Sequence, residues 1–148
     1  MLGLDAALEA HARSLQEASG LRIEVESTHV AGLLAPEAEL ALYRMVQEAL
    51  TNVAKHAQAT RVTISLEQHD HTVVLRVTDN GRGLAFAQRD GVLDLSGDRI
   101  PSGHLGLFGM QERVSLVGGT LRLSSQPGQG TTVLVELPLP RAAAAAAV

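Results

Sequence analysis

The stretch from Tyr43 to His56, YRMVQEALTNVAKH, limits the possible folds of this chain more than any other segment. At about 100° per residue, its apolar side chains fall on one arc of a helix, so that side can pack on a sheet. The arc consists of Leu42, Val46, Ala49, Leu50, Val53 and Ala57. A neighbouring arc carries Glu48, Asn52 and Lys55. The sequence therefore predicts a helix with one buried side and an adjacent side that presents a carboxylate, an amide and an ammonium group.

A second motif, DNGRG at Asp79 to Gly83, places an acid beside glycines. Asp79 has the same strand parity as the apolar residues before it, which puts its carboxylate at the end of an apolar face. Burying an unpaired carboxylate is costly, so a donor is expected there, and a ligand amine would serve. Together with Asn52 and Lys55, the only lysine, this pattern suits a magnesium–nucleotide site. The oxygens would hold the hard cation and the ammonium would bind a phosphate.

Length and composition exclude several classes. With 148 residues the chain has room for one domain with a proper core. A net charge of −4, one Tyr, two Phe and no Trp do not fit a nucleic-acid binder. The absence of cysteine excludes disulfides, thiolate metal sites and thiol nucleophiles. No apolar run has the length of a membrane span and no signal-peptide pattern begins the chain, so we expect a soluble, cytoplasmic location. A membrane anchor in a longer natural protein stays open.

The periodicity of the rest predicts an α/β (α+β) two-layer sandwich, with a mixed sheet and helices on one face. A helix precedes Gly20, the central helix starts at Pro36 and ends near Lys55 or His56, and a third helix follows the glycine-rich GHLGLFGMQER segment. The predicted strands are Leu21 to Glu26, Arg61 to Glu67, Thr72 to Asp79, Thr120 to Ser125 and Thr131 to Leu137, the last two forming a hairpin.

Two segments have no regular pattern. Gly83 to Gly103 is too irregular for a helix or strand, and such a loop is typical of a lid or a disordered segment. We expect Ala85 to Pro101 to be mobile in an empty site. The chain is thus divided into a helix at 1–20, which could connect to another domain, a globular domain at 21–138, and a disordered alanine-rich tail at 139–148.

Each motif taken alone has an ordinary structural explanation. Glu48 and Asn52 are i,i+4 neighbours and could simply hydrogen-bond each other. The Asp79–Gly81 segment alone is a turn signal. His69 and His71 have a spacing that could bind a metal, but in a tight turn exposed hairpin residues are favoured. Only the joint occurrence of the motifs, in one order, favours a functional site.

That order resembles a known family. QEALTNVAKHA is similar to the N box, DNGRG to the first glycine box, GHLGLFGMQER to the second and GQGTT to the last box of the ATP-binding catalytic domain of sensor histidine kinases. The wider GHKL (Bergerat) superfamily also contains gyrase B, Hsp90 and MutL. The resemblance covers about Leu21 to Leu137. The segment GLFGMQERVSLVGG most resembles the nitrate-sensor and DesK-like subgroup, whose partners are response regulators.

The resemblance implies roles for the polar side of the central helix. Asn52 would coordinate the Mg²⁺ that bridges the ATP phosphates. Glu48 would lie beside the reacting γ-phosphate as a polarising group or base. Lys55 would contact phosphate, with His56 as a further candidate. Such a set agrees with phosphoryl transfer, which depends mainly on positioning and charge neutralisation.

The glycine boxes would bind the base and the phosphates. Asp79 would accept a hydrogen bond from the adenine amino group, Gly81 and Gly83 would make space for the ring, and Thr132 would lie near the adenine pocket. The lid edge and phosphate cradle would comprise Gly103, Gly106, Leu107 and Gly109, with His104 as a further phosphate contact.

The expected activity is transfer of the γ-phosphate of Mg-ATP to a histidine on a separate dimerisation domain, with a response regulator as the indirect partner. No His-Asp motif precedes Leu21, and His11, in EAHARS, lies on the packing side of the first helix. The chain is therefore expected to be a catalytic fragment, monomeric, and without contact to nucleic acid or membrane. The alternatives are a stand-alone GHKL ATPase, an anti-sigma-type serine kinase, or a non-catalytic nucleotide-binding interaction module.

Overall fold

The secondary structure follows the predicted order of elements. The computed structural model describes residues 3–28, 30, 32–83, 92–94, 105–126 and 128–139. Its helices are α1 (Leu4–Ser19), α2 (Pro36–Asn52), a π-helix (Val53–Ala57) that continues α2, and α3 (Leu105–Leu116). Its strands are β1 (Arg22–Ser27), β2 (Arg61–His69), β3 (Thr72–Asp79), β4 (Val92–Asp94), β5 (Thr120–Gln126) and β6 (Gly130–Pro138).

The ends of the first two helices are set by local sequence signals. Gly20 follows α1 in the left-handed conformation, with φ of 76°, and its N–H donates to the Gln16 carbonyl. Glycine adopts this conformation without steric penalty, so α1 stops there. Pro36 occupies the first turn of α2, where a missing N–H does no harm. Glu37 and Glu39 in the same turn interact favourably with the helix dipole.

The strands form one mixed sheet in the order β1-β2-β3-β6-β5-β4. β1 pairs with β2 in parallel, and the other neighbours are antiparallel. The β5–β6 hairpin is present as predicted. β4 was not predicted, because three residues in an irregular segment carry no readable period. The remaining residues of the 84–104 segment lie outside the described part, so its predicted mobility stays a prediction.

Alternation along the strands gives the sheet one apolar face, and the helices cover it. The buried side chains of this face are Val62, Ile64, Leu66, Val73, Leu75, Val77, Leu121, Leu123, Val133, Val135 and Leu137. Against them pack the buried helical residues Leu4, Leu8, Leu42, Met45, Val46, Ala49, Leu50, Val53, Met110 and Val114. Burial of each large aliphatic side chain stabilises the fold by about 1.5–3 kcal/mol. The predicted two-layer sandwich is confirmed.

The packed core extends beyond both predicted boundaries of the globular domain, which we placed at residues 21 and 138. α1 is part of the core, since Leu4 and Leu8 are 4% and 0% exposed. His11 packs edge-to-face on Tyr43 of α2, with ring centroids 6.0 Å apart, so its predicted packing role is confirmed. Leu139, which we placed in the tail, is buried and its N–H donates to the His71 carbonyl at 2.7 Å. Within the described residues, none of the helices combines the length and apolarity needed to cross a membrane.

Candidate functional site

Asp79 is the last residue of β3 and points into the layer between sheet and helices. It is 7% exposed, and its Oδ1 accepts a hydrogen bond from the Gly81 N–H at 2.7 Å. The Thr131 backbone N–H on β6 also lies close enough to this carboxylate to lower its pKa. Desolvation by burial raises the pKa of Asp79, and the two backbone donors lower it only in part. The result is a buried acceptor that favours a further donor.

Asn80 points the other way and anchors the turn. Its Oδ1 accepts the Thr60 N–H at 2.9 Å and the Arg61 N–H at 3.0 Å, while its Nδ2 donates to the Thr60 hydroxyl at 2.9 Å. These bonds attach the end of β3 to the start of β2. The adjacent acid and amide therefore have different tasks: Asp79 faces the site and Asn80 holds the backbone that presents it.

Gly81 brings this turn into contact with the end of the central helix. A Cβ at Gly81 would collide with the Ala57 carbonyl oxygen and lie 2.8 Å from Asp79 Oδ1. The Ala57 carbonyl also accepts the Arg82 N–H at 2.8 Å. Only glycine permits this approach. The contact places the residues that end the helix next to the carboxylate of Asp79, so the two halves of the predicted site lie at the same end of the molecule.

The last helical turn is a π-helix, Val53–Ala57, rather than the straight α-helix that we predicted up to Lys55 or His56. It ends at Gln58 in a left-handed conformation, with φ of 53°, which is rare for a residue other than glycine. A π-turn inserts one extra residue into the helical repeat and is frequent at functional sites. The arc calculated at α-helical spacing therefore applies to Glu48 and Asn52 but not to Lys55.

The polar residues of this helix are accessible. Glu48 and Asn52 are half-buried and Lys55 is exposed. In the part of the chain that the structure describes, the side chains of Glu48 and Asn52 form no hydrogen bond with each other or with other residues. The simpler explanation of this pair, a mutual hydrogen bond, is therefore not realised. A carboxylate and an amide oxygen with free lone pairs can serve a divalent cation and its water ligands.

The start of β6 closes the site from the other side. A Cβ at Gly130, whose φ is 89°, would collide with the Asp79 carbonyl oxygen. The Gly128 N–H donates to the Arg82 carbonyl at 2.6 Å. The turn of the β5–β6 hairpin thus lies directly on the DNGRG segment. The Asp79–Gly83 turn and the turn of the β5–β6 hairpin, distant in sequence, therefore pack against each other next to Asp79.

Thr132 does not join this group. Its hydroxyl lies 3.1 Å from that of Thr78, across the β3–β6 pair and on the face of the sheet away from the helices. Thr131, its neighbour, faces Asp79 instead. This corrects the predicted position, and the reason is strand parity: Val133 and Val135 are buried, so the residue two before Val133 shares their face. The signal was present in the sequence.

Ser125 is a second site residue that the sequence analysis missed. It is 2% exposed, at the end of β5, and its hydroxyl bonds to the Gly130 carbonyl and the Thr131 hydroxyl. The alternation of Leu121 and Leu123 continues to this position and could have located it. A single serine on an apolar strand face does not indicate a function by its residue type. Its hydrogen-bond partners, Gly130 and Thr131, can be identified only once the pairing of β5 with β6 is known.

The remaining predicted residues are only partly described. Gly83 follows the turn with φ of 77°, as a glycine there permits. Gly106, Leu107 and Gly109 lie in the first turns of α3, and open space surrounds a Cβ built at Gly109. Four positions lie wholly or partly outside the described residues and stay predictions: Gly103 and His104 entirely, and the side chains of His56 and Leu107.

His69 and His71 form no metal site with their neighbours. Both are exposed, and His69 Nε2 lies 2.8 Å from the Glu67 carboxylate. Among the described residues, no cluster of three or more His, Asp or Glu side chains could hold a metal. A cation bound near Asn52 would therefore need oxygens from its ligand as well as from the protein, as is usual for Mg²⁺ with nucleotides.

Comparison with known families gives an independent result. The family model described as histidine kinase-, DNA gyrase B- and HSP90-like ATPase matches residues 37–141. This range includes every site element described above, from α2 to β6. More than half of the chain is therefore covered by one family model.

Curated relatives that match most of this chain include histidine kinases. The oxygen sensor histidine kinase NreB of Staphylococcus carnosus (strain TM300) is 36% identical over 138 residues, which cover 93% of this chain and 37% of NreB. The signal transduction histidine-protein kinase/phosphatase DegS of Brevibacillus brevis is 30% identical over 138 residues, or 93% of this chain and 33% of DegS. The chain thus spans about a third of the length of these relatives.

Solved structures show the same fold. The mycobacterial sensor histidine kinase MprB is 25% identical, with a TM-score of 0.66 over 93% of this chain and 95% of the MprB chain. The structure of full-length ShkA in complex with AMPPNP gives a TM-score of 0.73 over 93% of this chain and 30% of that chain. At 20% identity the latter likeness concerns the fold alone.

Proposed function

The chain belongs to the family of histidine kinase-, DNA gyrase B- and HSP90-like ATPases, and from this premise we propose that it is the catalytic domain of a two-component sensor kinase. In this proposal it binds Mg-ATP between the end of α2 and the Asp79 turn and transfers the γ-phosphoryl group to a histidine on a separate helical dimerisation domain. A cytoplasmic location, where ATP is supplied, and a response regulator as the final acceptor are parts of the same proposal.

The observation that carries the proposal is the buried carboxylate of Asp79. It accepts the Gly81 N–H and has the Thr131 N–H close by, and burial makes an unsatisfied acceptor costly. The exocyclic amine of adenine is a neutral donor of suitable size for the remaining lone pairs. A guanine would present a carbonyl oxygen at the same place, which a carboxylate repels. The 6-amino group of an adenine nucleotide would therefore supply the donor that this acceptor lacks.

The polar side of α2 would act on the phosphates. Asn52, with its free amide oxygen, would hold Mg²⁺, which neutralises charge on the phosphate oxygens. Lys55 is exposed on the π-turn and would contact a phosphate as a point charge. In the transfer, the bond between the γ-phosphorus and the bridging oxygen breaks, ADP leaves, and a bond to an imidazole nitrogen of the acceptor histidine forms. Glu48 would orient that imidazole or take up its proton.

We expect Glu48→Gln to keep Mg-ATP binding and to lower phosphoryl transfer by about 10²-fold, since a positioned acid or base typically contributes 10²–10⁴. The assay mixes the chain with a histidine-bearing helical domain and radiolabelled ATP, with and without EDTA, and measures label on the helical domain. Glu67→Gln, a carboxylate of β2 that pairs with His69, is the matched control.

The same assay separates the alternatives. Phosphate release without labelled helical domain would indicate a stand-alone ATPase, and label on an added serine substrate would indicate a serine kinase. Mg-ATP binding without any turnover would leave a nucleotide-binding interaction module. Any of these three results would contradict the proposed transfer to histidine.

The affinity for ATP is expected to fall at acid pH. The ionised form of Asp79 accepts the adenine amine, and burial raises the pKa of this carboxyl above its usual value of 3.8. Binding is therefore complete well above the raised pKa and is lost as the pH falls through it, by up to about tenfold per pH unit below it. The folding stability of the nucleotide-free protein depends on pH in the opposite direction. The protonated carboxyl favours the fold, and this contribution is lost as the pH rises through the same pKa.

Two controls isolate Asp79 from the titration of the nucleotide phosphates. Purine riboside triphosphate has the phosphates of ATP but a hydrogen in place of the 6-amino group, so its affinity should depend less on pH. The Asp79→Asn variant should show the same shallow profile with ATP. Parallel pH profiles for both nucleotides on the unaltered protein would contradict the role of this carboxylate.

A further inference from the structure

Ser125 is buried as deeply as the apolar core around it. Asp79 and Ser125 are the two polar or charged side chains of the described residues that are buried, at 7% and 2% exposure. Burying a hydroxyl without hydrogen bonds would cost about 1–3 kcal/mol on the scale of protein mutations. A serine therefore occupies a position on this apolar strand face where an aliphatic side chain would need no hydrogen bond, and its hydrogen bonds are the feature to explain.

The Ser125 hydroxyl joins two consecutive residues of the neighbouring strand. In the β5–β6 pair, Ser125 stands opposite Thr131. Its Oγ donates to the Gly130 carbonyl oxygen at 3.1 Å and lies 2.9 Å from the Thr131 Oγ1. One side chain thus holds both the backbone and the side chain at the start of β6, where the strand leaves its turn.

These two residues are the part of β6 that lies against Asp79. Gly130 lies against the Asp79 backbone so closely that a Cβ has no space. The Thr131 backbone N–H lies close enough to the Asp79 carboxylate to lower its pKa. Any rotation of the Gly130–Thr131 peptide would move this N–H, and with it the orientation of the carboxylate. The Ser125 hydroxyl resists such a rotation because it is bonded on both sides of that peptide.

We propose that Ser125 is a positioning residue for nucleotide recognition, which fixes the Gly130–Thr131 backbone so that the Asp79 carboxylate faces the 6-amino group of the base. The inference rests on the proposed binding of ATP and adds a residue that acts through Thr131 rather than on the nucleotide. It predicts an effect on discrimination of the 6-amino group, not a general loss of affinity.

The test compares ATP with purine riboside triphosphate on the whole chain by isothermal titration calorimetry. Ser125→Ala is expected to lower the ratio of the two affinities by about 3- to 10-fold, the equivalent of one hydrogen bond, through weaker ATP binding alone. Both nucleotides are measured on one preparation, so a smaller folded fraction lowers the number of sites but not the ratio. Ser124→Ala, the exposed neighbour on the same strand, is the matched control and should leave the ratio unchanged.

A second pair of variants tests the route through Thr131. Thr131→Val keeps the backbone N–H but removes the hydroxyl bonded to Ser125, so Ser125→Ala should change the ratio less in this background than alone. An equal loss of affinity for both nucleotides would show a merely structural role and overturn the inference, as would full additivity of the two variants. If the unaltered chain binds neither nucleotide, the proposed function itself fails. If it binds ATP and the ratio is insensitive to Ser125, only the present inference fails.

Discussion

Replacing Asp79 with asparagine is expected to weaken the binding of Mg-ATP by about 10- to 100-fold. The variant keeps the size of the side chain but replaces one carboxylate oxygen by an NH₂ group, which cannot accept a hydrogen bond. Leaving a buried donor such as the adenine amine unpaired costs about 1–3 kcal/mol. Isothermal titration calorimetry, at a pH on the plateau of the ATP-affinity profile of the unaltered protein, would measure the change.

The loss should depend on the 6-amino group. With purine riboside triphosphate the unaltered chain and the Asp79→Asn variant should differ by less than threefold, because neither can use the missing amine. Asp70→Asn serves as a surface control. Asp70 is an exposed turn residue with φ of 54°, a conformation in which asparagine is well tolerated. ATP binding that survives Asp79→Asn unchanged would contradict the adenine assignment.

Gly130→Ala is expected to destabilise the fold more than any other single methyl addition to the described glycine turns. The residue has a φ of 89°, which costs roughly 1–2 kcal/mol for a side chain other than hydrogen. Its Cβ would also collide with the carbonyl oxygen of Asp79, which belongs to the backbone and cannot rotate away. Overpacking of this kind costs about 1–3 kcal/mol in addition. The midpoint of urea unfolding measures the sum.

Gly128→Ala is the matched control within the same turn. Gly128 has a φ of 79°, close to that of Gly130, but no atom lies within 4 Å of a Cβ built there. Its replacement should therefore cost only the roughly 1–2 kcal/mol of the left-handed conformation. Gly130→Ala should also weaken ATP binding, because β6 must move away from Asp79. Equal unfolding midpoints for the two variants would show that the hairpin turn does not press on the Asp79 backbone.

The sequence alone was sufficient wherever a local period or a terminal signal decides the structure. The alternation in Thr72 to Asp79 predicted the bounds of β3 and the inward direction of its terminal acid. Pro36 and Gly20 marked the start of α2 and the end of α1. These features depend on interactions within a few residues, which the sequence displays directly.

Only the tertiary structure decided how the motifs meet. The choice of Thr131 over Thr132, the role of Ser125 and the close approach of Gly130 to Asp79 all depend on how β3, β5 and β6 are paired. The π-turn at Val53–Ala57 likewise accompanies the contact of the Ala57 carbonyl with the Arg82 N–H, a residue 25 positions further along the chain. Such contacts arise between segments that are far apart in sequence. The residue types at each position permit these contacts. Which atoms lie opposite each other is decided only when the strands pair, because the pairing sets the register of the sheet.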